Sequence, residues 1–478
     1  MRAIQVLLAL VASTACTSRN PAFCGDGTCV DPERPFCDTD GVFGGNPNEC
    51  IALECTPLEF VTCREQQEVR CDASGSDLQV TECPLGCDAS AGGCRECVDN
   101  TQCSTTKPIC DLTTHSCKAC VVDDDCDSRV CDQDAGQCVD ENSIVYASAE
   151  NSFGTCSLSQ PCPLQQAVTL ATNSAVTRTL RMLPGTYTSS LEVRAPSTSQ
   201  LQIVGTGATI AVIGDKAAIV VTRGANAAIR DLISTSEKAV LCGEPNVGRS
   251  SLLLARSSLT AIGSSGTQIE VERCDLTLSR VEMSLGQQDM LGTRDDATFV
   301  ADRLHARAIG GGGTTMIFAG QRMNVRVTNS LLEDLLMISF NSDAGPPGSH
   351  IEFAFDTMAM RNSTSLCASS APFVTIKFEN DIIVAPGGTN GSNPFTNPTA
   401  ANCSFVGTLM TRQANPPSGV VIGDPMFADP GNRDFHLVSG SPAVDAAIPA
   451  TIAAGIDLDG IARPQGGSSD LGAYELPE

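Results

Sequence analysis

Residues 271–276 read Val-Glu-Arg-Cys-Asp-Leu, and residues 327–331 read Val-Thr-Asn-Ser-Leu. Between residues 227 and 386 the same pattern returns: a short alternating apolar run, a polar stretch and then a large aliphatic residue. The large residues lie 17 to 28 residues apart and are Leu232, Leu259, Leu276, Leu304, Leu331, Met358 and Ile382. Short strands with no long helical pattern between them suit a sandwich or a barrel as well. Their recurrence at this interval favours coils that stack into a parallel β-solenoid.

The composition agrees with such a core and restricts the partners. The chain has 478 residues, no Trp and 4 % aromatic residues. Stacked aliphatic side chains can supply the main stabilising term, at about 25 cal/mol per Å² of buried apolar area. The formal charge of −25 argues against nucleic acid and against direct binding to anionic membranes, because both would be repelled.

The N-terminus indicates export. Met1-Arg2 is a short basic start, and residues 4–11 form an apolar run too short to span a bilayer. The following Ser13-Thr14-Ala15-Cys16 resembles the lipobox of bacterial lipoproteins, although Ser13 stands where Leu is commonest. The resemblance implies a signal peptide over residues 1–15 and lipid attachment at Cys16, followed by a linker over 16–23. The alternative is an ordinary signal peptide cut after Ala15, without a lipid.

Cysteine usage points to the same oxidising compartment. The chain contains 25 Cys, and setting Cys16 aside leaves 24, an even number that can pair fully. Residues 24–140 hold eighteen of them, together with 24 acidic and 7 basic residues, a net charge of −17. This density predicts a small disulfide-rich module in place of a hydrophobic core.

The module contains an internal repeat. Its first copy has Cys97, Cys103, Cys110 and Cys117, and its second copy has Cys120, Cys126, Cys131 and Cys138. It resembles the short Cys-rich repeats that precede larger domains in bacterial surface proteins. Two alternatives remain open: zinc bound by the Cys-x-x-Cys pairs, and Ca²⁺ bound in acidic turns such as 38–41 and 123–127.

The start of the main domain carries a cap. A short strand at 144–147 is followed by apolar residues at helical spacing over 164–171 and by Pro184-Gly185-Thr186-Tyr187. This order resembles the entry of right-handed parallel β-helix proteins of the pectate-lyase-like superfamily. The resemblance implies an all-β fold, a right-handed parallel β-helix, with a strand and capping helix over 141–175 and coils over 176–422.

Loops and cysteines interrupt the coils. We expect loops near 310–313, 343–348 and 386–402, because polar and glycine-rich stretches stand there. Three disulfides are plausible within the main domain, and they join Cys156 to Cys162, Cys242 to Cys274, and Cys367 to Cys403.

The last segment, residues 423–478, carries an ordered set of short motifs. They are Gly423-Asp424-Pro425, Gly440-Ser441-Pro442, Asp457-Leu458-Asp459-Gly460, Arg463-Pro464 and Asp470-Leu471-Gly472-Ala473-Tyr474-Glu475. Together they resemble the choice-of-anchor Q segment of secreted bacterial β-helix proteins, which closes the last coil. We expect Asp445, Asp457 and Asp470 to accept backbone N–H groups where the chain leaves the solenoid, and Arg463 to pair with one of them. A Ca²⁺ site at Asp457 and Asp459 is the alternative, and we expect no other cofactor.

Candidates for catalysis are few. Asp295 and Asp296 form an adjacent carboxylate pair, and Arg303 and His305 alternate with apolar residues further along. Such groups could cleave an acidic sugar chain by general acid–base chemistry. Adjacent aspartates are also common as solvated loop residues, and the polygalacturonase motifs are absent from the sequence.

The sequence therefore predicts a cell-surface lipoprotein of structural, adhesive or glycan-binding type rather than an enzyme. It would sit at the bacterial outer membrane or cell surface, or else be secreted, with polysaccharide or another surface component as partner. Its membrane contact would be the lipid anchor alone. The alternative function is a polysaccharide lyase or glycoside hydrolase acting on acidic polysaccharide.

Overall fold

A computed structural model describes most of the chain. The described residues are 22–24, 28–31, 33–34, 36–38, 41, 46–52, 56–73, 78–150, 153–173, 179–194, 200–263, 266–309, 314–319, 321–341, 348–360, 364–367, 373–385, 395–396, 402–452 and 455–477. The predicted leader, Cys16 and most of the three predicted loops lie outside them. The chain divides into two compact units: Met1–Cys126 with Cys131–Cys138, and Asp127–Val130 with Val139–Glu478.

The first unit is built from short antiparallel strands. The strands are Phe36–Asp38, Glu49–Ile51, Phe60–Arg64, Gln67–Cys71, Leu78–Glu82, Cys87–Asp88, Gly93–Cys94, Ile109–Asp111, Ser116–Lys118, Cys131–Asp132 and Gln137–Cys138. Two 3-10 turns, Asn100–Gln102 and Asp123–Asp125, lie among them. Hairpins this short bury little apolar surface, so covalent links must supply much of their stability.

Disulfides supply that link, with one connectivity in both copies of the repeat. In the first copy Cys97 bonds Cys110 and Cys103 bonds Cys117. In the second copy Cys120 bonds Cys131 and Cys126 bonds Cys138, which is the same order. Further bonds in the described part of the unit are Cys24–Cys37, Cys29–Cys50, Cys63–Cys87 and Cys83–Cys94. The Cys-x-x-Cys pairs are thus consumed in disulfides, which leaves no thiolate there for zinc.

The carboxylates of the acidic turn at 123–127 accept hydrogen bonds from the backbone. Oδ2 of Asp125 accepts the N–H of Val121 at 2.7 Å, and Oδ1 of Asp123 accepts the N–H of Cys131 at 3.0 Å. These carboxylate oxygens satisfy backbone donors at the ends of short elements.

The second unit is a parallel β-solenoid whose coils each contribute strands to as many as three sheets. The first sheet contains Ile144–Ala147, Thr179–Met182, Leu201–Val204, Asn226–Arg230, Ser250–Ala255, Asn324–Thr328, Ser349–Ala354, Val374–Glu379, Cys403–Val406 and the starts of Cys274–Leu285 and Thr298–Ala308. The predicted fold class, an all-β parallel β-helix preceded by a small disulfide-rich module, is confirmed.

The other two sheets share several long strands that bend at the corners. The second sheet contains Gly185–Tyr187, Ser258–Ala261, Thr357–Met360, Ile382–Val384, Thr408–Met410 and Val420–Ile422. The third contains Leu191–Val193, Thr267–Val271, Asp289–Thr293 and Thr314–Ala319. Strands that run through both are Ala208–Val221, Ile233–Cys242 and Leu331–Asn341, while Cys274–Leu285 and Thr298–Ala308 run from the first sheet into the second. A separate parallel pair joins Thr364–Ser365 to Phe395–Thr396.

Like residues stack inside the solenoid. One column of the first sheet reads Leu180, Ile203, Ile229, Leu254, Leu278, Ala301, Val327, Phe353, Phe378 and Phe405. Its last members stack as parallel rings, with centroids 5.2 Å apart for Phe353 and Phe378 and 5.0 Å for Phe378 and Phe405. This column is therefore aliphatic over most coils and aromatic in the last ones.

A short helix covers the N-terminal end of the solenoid core. The helix Leu164–Thr172 buries Leu164, Ala167, Val168 and Ala171 against the first coils, as a one-faced cap requires.

Within the described residues, no helix combines the length and apolar character that a membrane span needs.

The C-terminal segment, residues 424–477, lies along the outer side of the second sheet. Its hairpin pairs Phe427–Asp429 with Asp434–Leu437 around the 3-10 turn Pro430–Asn432. The sheet contributes Leu331, Ala359, Ile382, Val384 and Leu409 to this contact, and the segment contributes Phe435, Leu437, Ala443, Leu471, Ala473 and Tyr474. The segment therefore covers the side of several coils, whereas the sequence predicted closure of the last coil. We call the five sheet residues the apolar strip.

Candidate ligand-binding site

Arginines line the corner where each coil passes from the third sheet to the first. We call this set the arginine edge, and its members are Arg223, Arg249, Arg273, Arg294 and Arg322. The strands that follow the corner pair in register, with Ser250 beside Cys274, Asp275 beside Thr298, and Thr298 beside Asn324. Stacking of the coils therefore places Arg249, Arg273, Asp296 and Arg322 at one position on four successive coils.

The corner itself explains this arrangement. Arg273, Asp296 and Arg322 have φ values of 50°, 55° and 56°, in the left-handed region that reverses the chain sharply. The turn leaves their side chains in a row separated by one coil, about 4.8 Å. The result is a column of charges with one member on each of these coils.

Carboxylates hold the guanidinium groups in place. Asp296 bridges two coils: Nη2 of Arg322 donates to its Oδ2 at 2.7 Å, and Nη1 of Arg273 lies 3.5 Å away. Arg249 donates from Nε to Oδ2 of Asp275 at 2.9 Å and from Nη2 to the hydroxyl of Thr298 at 2.7 Å. The hydrogen bond from Arg322, together with the positive charge around it, lowers the pKa of Asp296.

In four of the five pairs of the edge the arginine is more exposed than the carboxylate that holds it, and only in the pair of Arg249 with Asp275 is the carboxylate slightly more exposed. The arginine side chains are 39 to 68 % exposed, whereas Glu244, Glu272, Asp275 and Asp296 are 21 to 47 % exposed. Surface ion pairs of this kind are weak and exchange readily with other partners. In a chain of net charge −25, this edge therefore offers guanidinium groups to an anionic ligand.

The predicted carboxylate pair belongs to this edge and is already engaged. Oδ1 of Asp295 accepts the N–H of Gln321 at 2.7 Å, and both oxygens of Asp296 face Arg322. A general acid needs a raised pKa, and the pKa of Asp296 is lowered. Both carboxylates therefore hold groups of the corner, and their role as a catalytic pair stays a prediction.

The other two predicted candidates lie elsewhere. Arg303 stands at the corner between the first and second sheets, where its φ is 56° and Nε donates to Asp302 at 2.9 Å. His305 lies beyond it on the second sheet, with Nε2 2.7 Å from Oε1 of Glu333. The strand part 298–302 separates these residues from Asp296, so the four predicted residues do not form one site.

Glu333 joins His305 to the C-terminal segment. Its side chain is almost fully buried, and its Oε2 accepts a hydrogen bond from Arg433 at 2.8 Å. Burial alone raises the pKa of Glu333, but the hydrogen bond to His305 and the charges of His305 and Arg433 lower it overall. Arg433 also pairs with Asp334 at 3.2 Å. This cluster anchors the segment to the coils.

Sequence reasoning missed the edge, although a signal existed. Arg249, Arg273, Asp296 and Arg322 are separated by 24, 23 and 26 residues, which is the interval of the coils. Aligning the coils would have placed them together. The pairing of Glu333 with Arg433, 100 residues later, has no local signal.

The remaining predicted residues are placed as follows. The structure joins all three predicted cysteine pairs: Cys156–Cys162, Cys242–Cys274 and Cys367–Cys403. Asp457 is buried and accepts the N–H groups of Ile461 and Glu475 at 2.7 and 2.8 Å, while Asp459 binds His436. These two aspartates thus serve separate hydrogen bonds and do not converge on a Ca²⁺ site. Arg463 pairs with Glu475 rather than with an aspartate.

The fold defines a parallel β-helix protein, and one of its corners carries a row of exposed arginines. No protein-family model matches the chain, and no curated protein matches it in sequence. Among solved structures, it is similar to that of pectate lyase Pel9A, with 14 % identity and a TM-score of 0.45 over 70 % of this chain and 96 % of that one. At this identity the likeness concerns the path of the backbone alone.

Proposed function

We propose that this protein is an exported surface protein that binds acidic polysaccharide along the arginine edge without cleaving it. The observation that carries the proposal is the row of exposed guanidinium groups, stacked coil by coil, on a protein that is otherwise strongly acidic. Guanidinium groups recognise carboxylates through two parallel hydrogen bonds.

The spacing of the charges favours a polysaccharide over nucleic acid. Neighbouring coils are about 4.8 Å apart, whereas duplex DNA carries one charge per about 1.7 Å. A polysaccharide with one carboxylate per sugar has more widely spaced charges, which a coil-by-coil row of arginines can meet. The net charge of −25 would also repel a dense polyanion more strongly.

Export is supported by the disulfide framework, because such bonds persist in oxidising compartments. With the sequence features before residue 17, we propose a lipid anchor at Cys16 on the bacterial surface. Mass spectrometry of the protein purified from membranes tests this step. A diacylated or triacylated Cys16 is expected, and an unmodified mature N-terminus at Cys16 would leave a secreted protein.

The binding proposal is tested by titrating the purified protein with polygalacturonate and with neutral dextran. We expect binding to the polyuronate alone. The double variant Arg273→Glu/Arg322→Glu should reduce the affinity at least about tenfold, since two attractive charges become repulsive. The control is Lys118→Glu, which alters an exposed, ion-paired lysine of the disulfide-rich first unit. Equal affinities for the double variant and the control would contradict the proposal.

The same samples test the enzymatic alternative. Absorbance from unsaturated sugar ends, or new reducing ends, should not appear on incubation with polyuronates. If either appears and disappears in Asp295→Asn/Asp296→Asn, the protein is an enzyme and the proposed non-catalytic role is wrong.

A further inference from the structure

His436 lies in the hairpin of the C-terminal segment, and both of its ring nitrogens face carboxylates. Nδ1 is 2.6 Å from Oδ1 of Asp434, and Nε2 is 2.7 Å from Oδ2 of Asp459. A neutral imidazole has one N–H group, so its second nitrogen would turn a lone pair toward a carboxylate. Both contacts are favourable only in the imidazolium form, which has two N–H groups and a positive charge.

These contacts join three parts of the segment at one point. Asp434 belongs to the hairpin and Asp459 to the turn that follows Asp457, while the ring of Tyr474 lies with its centroid 4.1 Å from that of His436. Tyr474 is itself buried in the cluster that covers the apolar strip. His436 therefore sits where the hairpin, the turn and the last stretch of the chain meet above the second sheet.

The surroundings of the ring are acidic. Asp434, Asp459 and Tyr474 face it directly, and the carboxylates of Glu333 and Asp457 act on Tyr474 from the coils and the turn. Arg433, three residues earlier, is engaged by Glu333 and Asp334. Partial burial by itself lowers the pKa of His436, but the hydrogen bonds and charges of Asp459 and Asp434 raise it above its ordinary value.

We propose that His436 is a pH-sensitive latch for the C-terminal segment. In the imidazolium form it ties the hairpin to the turn at Asp459 and keeps the segment closed over the apolar strip. Loss of the proton removes the charge and leaves one nitrogen opposed to a carboxylate, so the hairpin opens more often and exposes Leu331 and Leu409. The latch is independent of polysaccharide binding at the arginine edge.

The direction of the pH effect follows from linkage. A histidine whose pKa is raised on folding contributes stability that is complete below its unfolded pKa, about 6.5. That stability is lost as the pH rises through the raised pKa of the folded state. Closure is therefore expected at mildly acidic pH and loosening at alkaline pH.

Hydrogen exchange of the full-length protein tests the latch. After correction for intrinsic exchange, protection of residues 427–437 should fall at least about tenfold between about pH 6 and about pH 9. His436→Gln should show low protection at both pH values. Asp459→Asn should shift the loss of protection to lower pH. The control His350→Gln alters an exposed histidine that contacts Thr375 on the first sheet, and it should keep the wild-type profile.

Proton NMR identifies the group responsible. The chain has four His, so the ring signal missing in His436→Gln can be assigned. The proposal is overturned if this ring titrates without any change in protection, or if His436→Gln keeps wild-type protection at about pH 6. Should His436→Gln fail to fold, Asp459→Asn decides: an unchanged midpoint for the His436 signal rejects the latch, and a lowered midpoint with earlier loss of protection supports it.

Discussion

Two arginine–carboxylate pairs of this protein have the same chemistry and different surroundings. Arg322 and Asp296, at the arginine edge, have side chains that are 45 % and 23 % exposed. Arg463 and Glu475, within the C-terminal segment, have side chains that are 0 % and 1 % exposed. Water screens the first pair and can replace either partner, whereas the second pair has only fixed neighbours.

The buried pair has fixed neighbours on several sides, although Nε of Arg463 has no hydrogen-bond partner among the described residues. Arg463 donates to the carbonyl oxygens of Asp470 and Gly472 at 2.9 and 2.7 Å, and it lies over the ring of Phe355 at 5.2 Å. The exposed pair can exchange its carboxylate for that of a ligand, and the buried pair cannot. The same residue types thus form a binding surface in one place and a structural support in the other.

The largest expected difference between the two regions is in stability. Arg463→Met leaves Glu475 buried without its counter-charge and should destabilise the second unit by about 3–5 kcal/mol. Arg322→Met should leave the unfolding midpoint nearly unchanged, because its pair is exposed. Urea unfolding followed by circular dichroism measures both variants. Similar unfolding midpoints for the two variants would show that burial does not decide how much each ion pair contributes to stability.

The two regions should also respond to pH in opposite directions. Burial, and in addition the charge of Asp381, raises the pKa of Asp356, and burial likewise raises the pKa of Asp381 and Glu475. Carboxylates with raised pKa values contribute stability at low pH that is lost as the pH rises through those values. At the edge the pKa of Asp296 is lowered, so its contribution is lost only in acid, as the pH falls through that lowered value.

Lowering the pH from about 7 to about 5 should therefore strengthen the covered coils by on the order of 1 kcal/mol or more. Hydrogen exchange of residues 382–384 should report this gain, and exchange of residues 298–302, next to the edge, should not. Measurement in His436→Gln removes the contribution of that ring. Equal changes in both segments would show that neither set of carboxylates governs the response.

Salt should weaken polygalacturonate binding without changing the stability of the region that the C-terminal segment covers. Raising NaCl from about 0.05 to about 0.5 M should weaken polygalacturonate binding about tenfold or more, because exposed charges are screened. The unfolding midpoint of the covered region should change little, since its charges are buried. Calorimetric titration and urea unfolding at matched salt provide the test, and salt-independent binding would point away from the arginine edge.

The smallest expected effect is a gain of affinity. Asp296→Asn removes the carboxylate that competes for Arg273 and Arg322, and Asn tolerates the positive φ of 55° at this corner. Polygalacturonate should then bind about two- to fivefold more tightly, which is within the range of a surface ion pair. The control is Asp302→Asn, which alters the partner of Arg303 at the opposite corner. Weaker binding by Asp296→Asn would show that Asp296 itself contacts the ligand.

Periodicity predicted the coils but not the side on which each large residue lies. All seven recurring residues are buried, yet they occupy different positions in the coil. Leu259 and Met358 share an inward column of the second sheet, whereas Leu331 and Ile382 belong to the outward apolar strip. A strand that is apolar on both faces has the same sequence pattern whether a ligand, a partner or a distant segment covers it.

The candidate site shows the same limit. Adjacent aspartates at 295 and 296 suggested chemistry, but the corner uses each of them for a different hydrogen bond. The two copies of the cysteine repeat form the same two bonds, although the sequence alone left their connectivity open. The disulfides of the repeat join residues fewer than about twenty positions apart, so they are nearly local. The ion pairs instead join successive coils, as Asp296 and Arg322 do, or a coil and the C-terminal segment, as Glu333 and Arg433 do.

The sequence by itself determined the solenoid, since stacking at the coil interval is the one arrangement in which every recurrent apolar run buries its neighbour. It also determined the disulfide-rich module, because eighteen Cys stand where a core cannot form. Tertiary structure decided which charges remain exposed. Arg322 and Arg463 have the same side chain, and their exposure depends on where residues 424–477 fold back over the coils. Such long-range burial sets the dielectric around each charge, and no local pattern encodes it.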